Sequence, residues 1–368
     1  METNKILCFT VNLNSFIVTL AIMKLIGFLL LISCSYCFFS CKKDNPIVTP
    51  LEENSSDFIL SVPNGFPNPL YTFKNNNLTR ERFVLGRYLF YDPILSLDST
   101  ISCATCHAQT HGFADHNIPF SKGVDGAFGN RNAPPVFNMA WSPLFFWDGR
   151  VQLMDHFSIE PITNPIEMKE TVGHVIAKLN KNKVYRTRFK AAYNIDSITE
   201  EKLQQALSQY MAMVISANSK YDQYIAGKTT LTASETNGMN LFKQHCSTCH
   251  KAPLFTDYSF RNNGLDSVFK DLGRAGYTKK SSDRGKFKVP TLRNVELTYP
   301  YMHDGRLISL MDVINHYTSG IKKTETLDPI LQNPISLSTT EKKDLMKFLF
   351  TLTDYHMIGD TSIAEPIK

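Results

Sequence analysis

The sequence predicts an all-α fold with long loops, laid out as two tandem domains. Three observations predict it. An order of short motifs occurs twice along the chain, several segments carry apolar residues at helical period behind capping residues, and no long run alternates strictly between apolar and polar residues. At 368 residues the chain is long enough for two domains of ordinary size, each able to bury its own core.

The first 41 residues stand apart from the rest. From Lys24 the chain reads KLIGFLLLISCSYCFFSCKKDN, a positive charge followed by an apolar core and then small residues beside cysteine. That is the layout of an export signal, which places the protein in the periplasm or cell envelope. Met23-Lys24 reads as a natural signal start, and a membrane-spanning segment over residues 16–40 is the alternative. Ser40-Cys41-Lys42-Lys43-Asp44 resembles a bacterial lipoprotein processing site, with Cys41 lipidated and Cys34 as the rival position. Acyl chains on Cys41 would anchor the protein to a membrane. Residues 42–75, rich in Pro, Asn and Ser, read as a tether.

The body then becomes helical. Thr79 to Phe90 reads as a short helix, with Thr79 as N-cap and Arg80-Glu81-Arg82 in its first turns. Ser197 to Ala217 carries Ile198, Leu203, Leu207, Met211, Val214 and Ile215 close to helical period. Thr232-Ala-Ser-Glu235 and Ser338-Thr-Thr-Glu341 are capping boxes, the first for a helix running toward Cys246 and the second for a helix from Lys342 to Thr351. The formal charge of +5 is spread along the chain with no basic arm, which argues against a nucleic-acid partner.

Of eight cysteines, Cys8, Cys34, Cys37 and Cys41 lie in the leader. The other four form two close pairs, Cys103-Ala-Thr-Cys106-His107 and Cys246-Ser-Thr-Cys249-His250. C-x-x-C-H is the attachment signature of a c-type haem. Two thiols three residues apart on a helical turn can each form a thioether to one haem vinyl group, and the adjacent imidazole becomes the proximal iron ligand. A redox dithiol or half a zinc site is the alternative for one such motif alone. Two motifs, in an exported chain, favour two c-type haems.

The surroundings of the motifs repeat as well. Leu89-Phe90 and Leu241-Phe242 precede them. Arg131-Asn132, then Phe146-Trp147-Asp148-Gly149-Arg150 and Leu153-Met154-Asp155, follow the first. Arg293-Asn294, then Met302-His303-Asp304-Gly305-Arg306 and Leu310-Met311-Asp312, follow the second. This points to an ancient duplication of a cytochrome c-like domain, with the haem replacing much of the core that so small a domain would need. The expected boundaries are 76–228 for the N-terminal domain and 229–368 for the C-terminal one.

At LGRYLFYDPILSLDSTISCATCH, GNRNAPPVFNMAW, FFWDGR, PITNPIEM and VPTLRNVELTYPYMHDGR the chain resembles the bacterial dihaem cytochrome c peroxidase family, from about residue 63 to about residue 355. That family includes relatives of the methylamine-dehydrogenase maturation enzymes. The resemblance implies a peroxidatic haem on His107 and an electron-accepting haem on His250. It implies reduction of hydrogen peroxide with electrons from a small redox protein such as a cytochrome or cupredoxin. Trp147 matches the tryptophan between the two haems, and Glu167 the distal carboxylate that moves protons between the peroxide oxygens. Read without the resemblance, Trp147 is a core aromatic and Glu167 a surface glutamate.

Two departures from the family stand out. The distal glutamine expected ten residues after the tryptophan is Phe157, beside His156. The distal histidine that many members carry after Ser-x-Gly is Val124, in Ser121-Lys122-Gly123-Val124, and valine cannot ligate iron. The first haem is therefore expected to be open or water-ligated when oxidised, unless His111 or His116 takes that place. For the second haem the aligned sixth ligand is Tyr317, with Met302 and Met311 as rivals. The family also implies a calcium ion, held by the Asn132 side chain and the carbonyls of Thr298 and Pro300, and often a homodimer. The rival functions are oxidation of a partner protein or organic substrate, and a non-catalytic dihaem electron carrier.

Overall fold

The computed structural model describes residues 58–367. Cys41 and the rest of the expected leader lie outside the described residues. Eight α-helices of six or more residues are present among them: α1 Arg80–Tyr91, α2 Val172–Lys181, α3 Lys183–Tyr193, α4 Glu200–Met213, α5 Lys220–Ile225, α6 Ala233–His245, α7 Leu310–Asn315 and α8 Thr339–Phe350. The predicted caps form. Thr79 accepts from Arg82 N–H, and both predicted capping boxes close, Thr232 with Glu235 and Ser338 with Glu341. α4 starts later than its apolar period, because Thr199 caps it and leaves Ile198 outside. The fold is helical with long loops, but one short antiparallel ladder is present, pairing Phe260–Arg261 with Phe287–Lys288.

Two hydrophobic clusters organise the chain. The first gathers α1 to α4 and the loops between them; the second gathers α6, α7 and α8. In each, one glycine lets two helices cross in backbone contact. A Cβ on Gly86 of α1 would overlap the Ala206 carbonyl of α4, and a Cβ on Gly238 of α6 would overlap the Asp344 carbonyl of α8. Both glycines stand four residues before the phenylalanine of the repeated Leu-Phe pair. Gly238→Ala should therefore destabilise the protein by about 2 kcal/mol, since overpacking outweighs the gain in helix propensity. A urea midpoint unchanged from wild type would contradict this.

The duplication reaches into the loops, with one change of register. Asn138 and Asn294 both adopt positive φ (53° and 57°). Asn138 N–H donates to Val214 O and its Oδ1 accepts from Ser216 N–H; Asn294 N–H donates to Leu352 O and its Oδ1 accepts from Asp354 N–H. Asn138 is thus the counterpart of Asn294, and the Arg131-Asn132 pair is not. The match of two letters misled because what the two halves share is a hydrogen-bonding position.

The expected tether differs from its composition. From residue 58 on it packs on the first cluster through Phe58, Phe66, Tyr71 and Phe73, and Trp141 Nε1–H donates to Pro67 O at 2.7 Å. The far end of the described chain returns to the same cluster. Met357 and Ile363 join it, and Tyr210 Oη–H donates to Ile363 O at 2.7 Å.

Candidate active site

A cavity of about 440 Å³ opens beside the first C-x-x-C-H turn. Cys103, Cys106, His107, Trp147, Ser158 and Glu167 all border it. His107 Nδ1 lies 3.0 Å from the Phe113 carbonyl, so Nδ1 carries the hydrogen and Nε2 keeps its lone pair for a metal. Burial lowers the pKa of this imidazole, which favours the neutral, ligating form. None of the four described cysteines is in a disulfide. Burial pushes the thiols of Cys103, Cys106 and Cys246 up to about 12, which keeps them protonated while they are unattached. Among the described residues, no three His, Cys, Asp or Glu side chains are placed to hold a metal ion together. Paired thiols and one free imidazole nitrogen beside a large cavity fit covalently attached haem.

Glu167 is half-buried, and burial raises its pKa while Asn164 and the charge of Arg150 pull it back. Asn164 Nδ2–H donates to Glu167 Oε1 at 2.7 Å, which supplies the polar partner that Phe157 cannot. Phe157 instead stacks on Phe146, with centroids 4.8 Å apart, and His156 is exposed. Val124 is buried and its N–H donates to the Glu167 carbonyl at 2.8 Å. Gly123 packs so closely on the carbonyls of Ile166 and Glu167 that no side chain fits there. The segment that lacks the distal histidine therefore holds the Glu167 loop. His111 and His116 face each other at 4.7 Å, and neither borders the cavity.

The second cavity, about 240 Å³, is bordered by Cys246, Cys249, His250, Met302 and Tyr317 but not by Met311. His250 repeats the arrangement of His107, with Nδ1 at 3.2 Å from Phe255 O and 3.1 Å from Pro290 O. Phe113 and Phe255, whose carbonyls receive these bonds, both adopt positive φ (55° and 52°). Tyr317 sits on a π-helical turn, His316–Gly320, that continues α7. Burial pushes its phenol up to about 12, and Asn263 draws it down by stabilising the phenolate. Asn263 Nδ2–H also donates to Met302 Sδ at 3.3 Å, and the His316 ring fixes its carbonyl at 2.9 Å.

Trp147 borders both cavities. Its indole N–H donates to Asn132 O at 2.8 Å, and Lys288 N–H donates to Trp147 O at 2.8 Å. Asn132, Thr298 and Pro300 border the second cavity together, and the Asn132 amide lies 3.3 Å from the carbonyls of Ile118 and Pro119. Sequence reasoning missed Asn164, which lies inside a stretch already singled out, three residues before Glu167.

Residues 80–230 match the family model described as di-haem cytochrome c peroxidase. The methylamine utilization protein MauG of Methylophilus methylotrophus is 33% identical over 298 residues, covering 79% of this chain and 86% of its own length. Cytochrome c551 peroxidase of Nitrosomonas europaea is 36% identical over 278 residues, covering 73% of this chain and 79% of its own. Among solved structures, a MauG-like protein associated with microbial copper homeostasis superposes with a TM-score of 0.79 at 30% identity, covering 84% of this chain and 99% of that one.

Proposed function

This chain belongs to the di-haem cytochrome c peroxidase family, and on that premise we propose how its residues carry out the reaction. It is an oxidoreductase acting on peroxide: hydrogen peroxide, two protons and two electrons from an external redox donor give two molecules of water. The observation that carries the reading is that Glu167, Trp147 and the His107 turn border one cavity, while Trp147 also borders the cavity of His250.

Cys103 and Cys106 attach the first haem and His107 ligates it; Cys246, Cys249 and His250 do the same for the second. Bound there, the haems supply the iron that relays electrons and cleaves the oxygen–oxygen bond. Glu167, steadied by Asn164, takes a proton from one peroxide oxygen and returns it to the other. Trp147 shortens the electron path between the two halves, which correspond to residues 76–228 and 229–368 apart from the returning segment at residues 357–363. Tyr317 would offer its phenol oxygen to the iron of the second haem, with Asn263 holding the rival Met302 sulfur. Asn132, Thr298 and Pro300 offer neutral oxygens to a calcium ion.

With Val124 where a ligand could stand, that segment would leave the iron of the first haem accessible to peroxide. Electron paramagnetic resonance should detect a high-spin haem beside a low-spin one, and peroxide should react without prior reduction. Two low-spin signals alone would refute the open site, and a methionine-to-iron charge-transfer band in the near infrared would replace Tyr317 with Met302.

Tyr317 also favours a second reading, oxidation of a partner protein through the same pair of haems, because tyrosine at this position lowers the potential of the second haem. Fast peroxide consumption with a reduced cytochrome selects the first reading, and poor turnover the second. The leader supports export and a lipid anchor on Cys41, at a membrane reached from the periplasm or cell envelope. Among the described residues no helix is long and apolar enough to cross a membrane. A homodimer completes the proposal.

A further inference from the structure

The turn that carries Trp147 is held from the second half of the chain. Arg131 donates from Nε and one terminal nitrogen to the two oxygens of Asp271, at 2.6 and 2.8 Å. Its other terminal nitrogen donates to Asp148 Oδ2 at 2.7 Å. A planar guanidinium that grips a carboxylate with two parallel bonds fixes direction as well as distance. Asp271 is itself fixed, because Gly273 N–H donates to its Oδ1 at 2.8 Å. Arg274, from the same loop, donates to Asp148 O at 3.0 Å. Gly149 takes a positive φ of 68° there, and a Cβ on it would overlap the Phe260 ring.

These contacts converge on one indole. Asn132, next to Arg131 in the chain, accepts the Trp147 indole N–H at 2.8 Å and donates its own N–H to His303 O at 2.7 Å. Asp148, next to Trp147, takes the third Arg131 bond. The Arg131 guanidinium also lies over Phe287, 5.5 Å from its centroid, and Phe287 meets Trp147 edge-on with centroids 6.4 Å apart. One guanidinium thus reaches the chain on both sides of the indole hydrogen bond, and Asp271 aims that guanidinium. The Arg131-Asn132 pair is not the counterpart of Arg293-Asn294, because it serves a place that occurs once, the crossing between the halves.

We propose that Asp271 is a positioning residue for Trp147. Through Arg131 it sets the indole between the two cavities, and so sets how fast electrons cross from the His250 side to the His107 side. Each crossing moves one electron, oxidising the second haem by one and reducing the first by one. Asp271 and Arg131 make and break no covalent bond and keep their charges. Asp271 borders neither cavity, so it acts only through its partners. This inference rests on the reading of Trp147 as the bridge.

The test uses the purified protein with both haems, counted by a pyridine haemochrome assay. The half-reduced protein is mixed with hydrogen peroxide, and loss of the reduced-haem absorbance times the crossing. Asp271→Asn keeps the size of the side chain but breaks the charged fork, and should slow the crossing about tenfold. Asp271→Glu restores a carboxylate and should recover most of the rate. Cyanide affinity of the oxidised protein, which reports the cavity beside His107, should match wild type in both. A crossing in Asp271→Asn within about twofold of wild type would overturn the proposal. So would an Asp271→Glu as slow as Asp271→Asn, or a cyanide affinity that falls with the rate, since either marks general loosening. If Asp271→Asn does not fold, Arg131→Lys decides: lysine offers a point charge in place of the fork and should slow the crossing, and a wild-type rate would overturn the proposal. If Trp147→Phe slows the crossing but Asp271→Asn does not, Asp271 alone is misassigned; if Trp147→Phe leaves it unchanged, the reading of Trp147 has failed.

Discussion

Glu167→Gln is expected to slow the reaction of the oxidised protein with hydrogen peroxide by about 10²–10⁴-fold while both haems stay attached. Glutamine has the same shape, and Asn164 can still hydrogen-bond its carbonyl oxygen as it does Glu167 Oε1. What is lost is the ability to take a proton and give it back. The pH dependence supplies a second check. Burial raises the pKa of Glu167, with Asn164 and Arg150 opposing. On the proposed mechanism the carboxylate is the active base, so the wild-type rate should fall as pH drops through that raised value. The variant should lose this acid limb. Stopped-flow rates across pH measure both, and a variant within about tenfold of wild type would remove Glu167 from the mechanism.

Arg293→Met is expected to cost about 3–5 kcal/mol of stability, as removing one partner of a buried ion pair does. Arg293 is fully buried and grips Asp222 through both terminal nitrogens, at 2.8 and 2.7 Å, while its Nε–H donates to Pro253 O at 2.8 Å. Its guanidinium lies over Phe66, 4.9 Å from the centroid, and 5.6 Å from that of Phe255. Phe66 belongs to the segment before α1, and the Phe255 carbonyl receives the His250 ring. Methionine fills similar volume but leaves the Asp222 carboxylate unpaired.

The pH sign follows from Asp222. Burial pushes its pKa up, yet the bonds and charge of Arg293, with help from Ser219, hold it below the ordinary range. Asp222 therefore adds stability above the unfolded carboxylate value of about 3.9, and that share is lost as pH falls through the depressed folded value. In the variant the depression is gone, so acid unfolding should begin at higher pH. Urea titrations at neutral and acid pH test both statements; equal stabilities at neutral pH would show that the pair contributes nothing.

Much of this was legible in the residues, for identifiable reasons. Caps such as Thr79 and the boxes at Thr232 and Ser338 are local chemistry, complete within four residues, and they formed as read. The two C-x-x-C-H turns carry their own spacing. What stayed hidden depends on distant contacts. The Pro- and Asn-rich segment looked like a tether because its aromatic residues are spread out, and only the folded chain gathers Phe58, Phe66, Tyr71 and Phe73 onto one core. The repeat slipped in one place because Asn138 and Asn294 share hydrogen bonds, not neighbours. Asn164 looks ordinary in sequence, since nothing local says that it meets Glu167.

Met357 and Ile363 close the core that α1 and α4 begin. The half translated first is therefore finished last, from segments more than 250 positions downstream of α1. A ribosome that stopped short of residue 357 would release a protein whose damage lies in its oldest part, with the cavity beside His107 loosened and the later pocket still walled by its own helices. Any attempt to produce the N-terminal half by itself inherits the same gap, unless the returning strap is grafted back onto it.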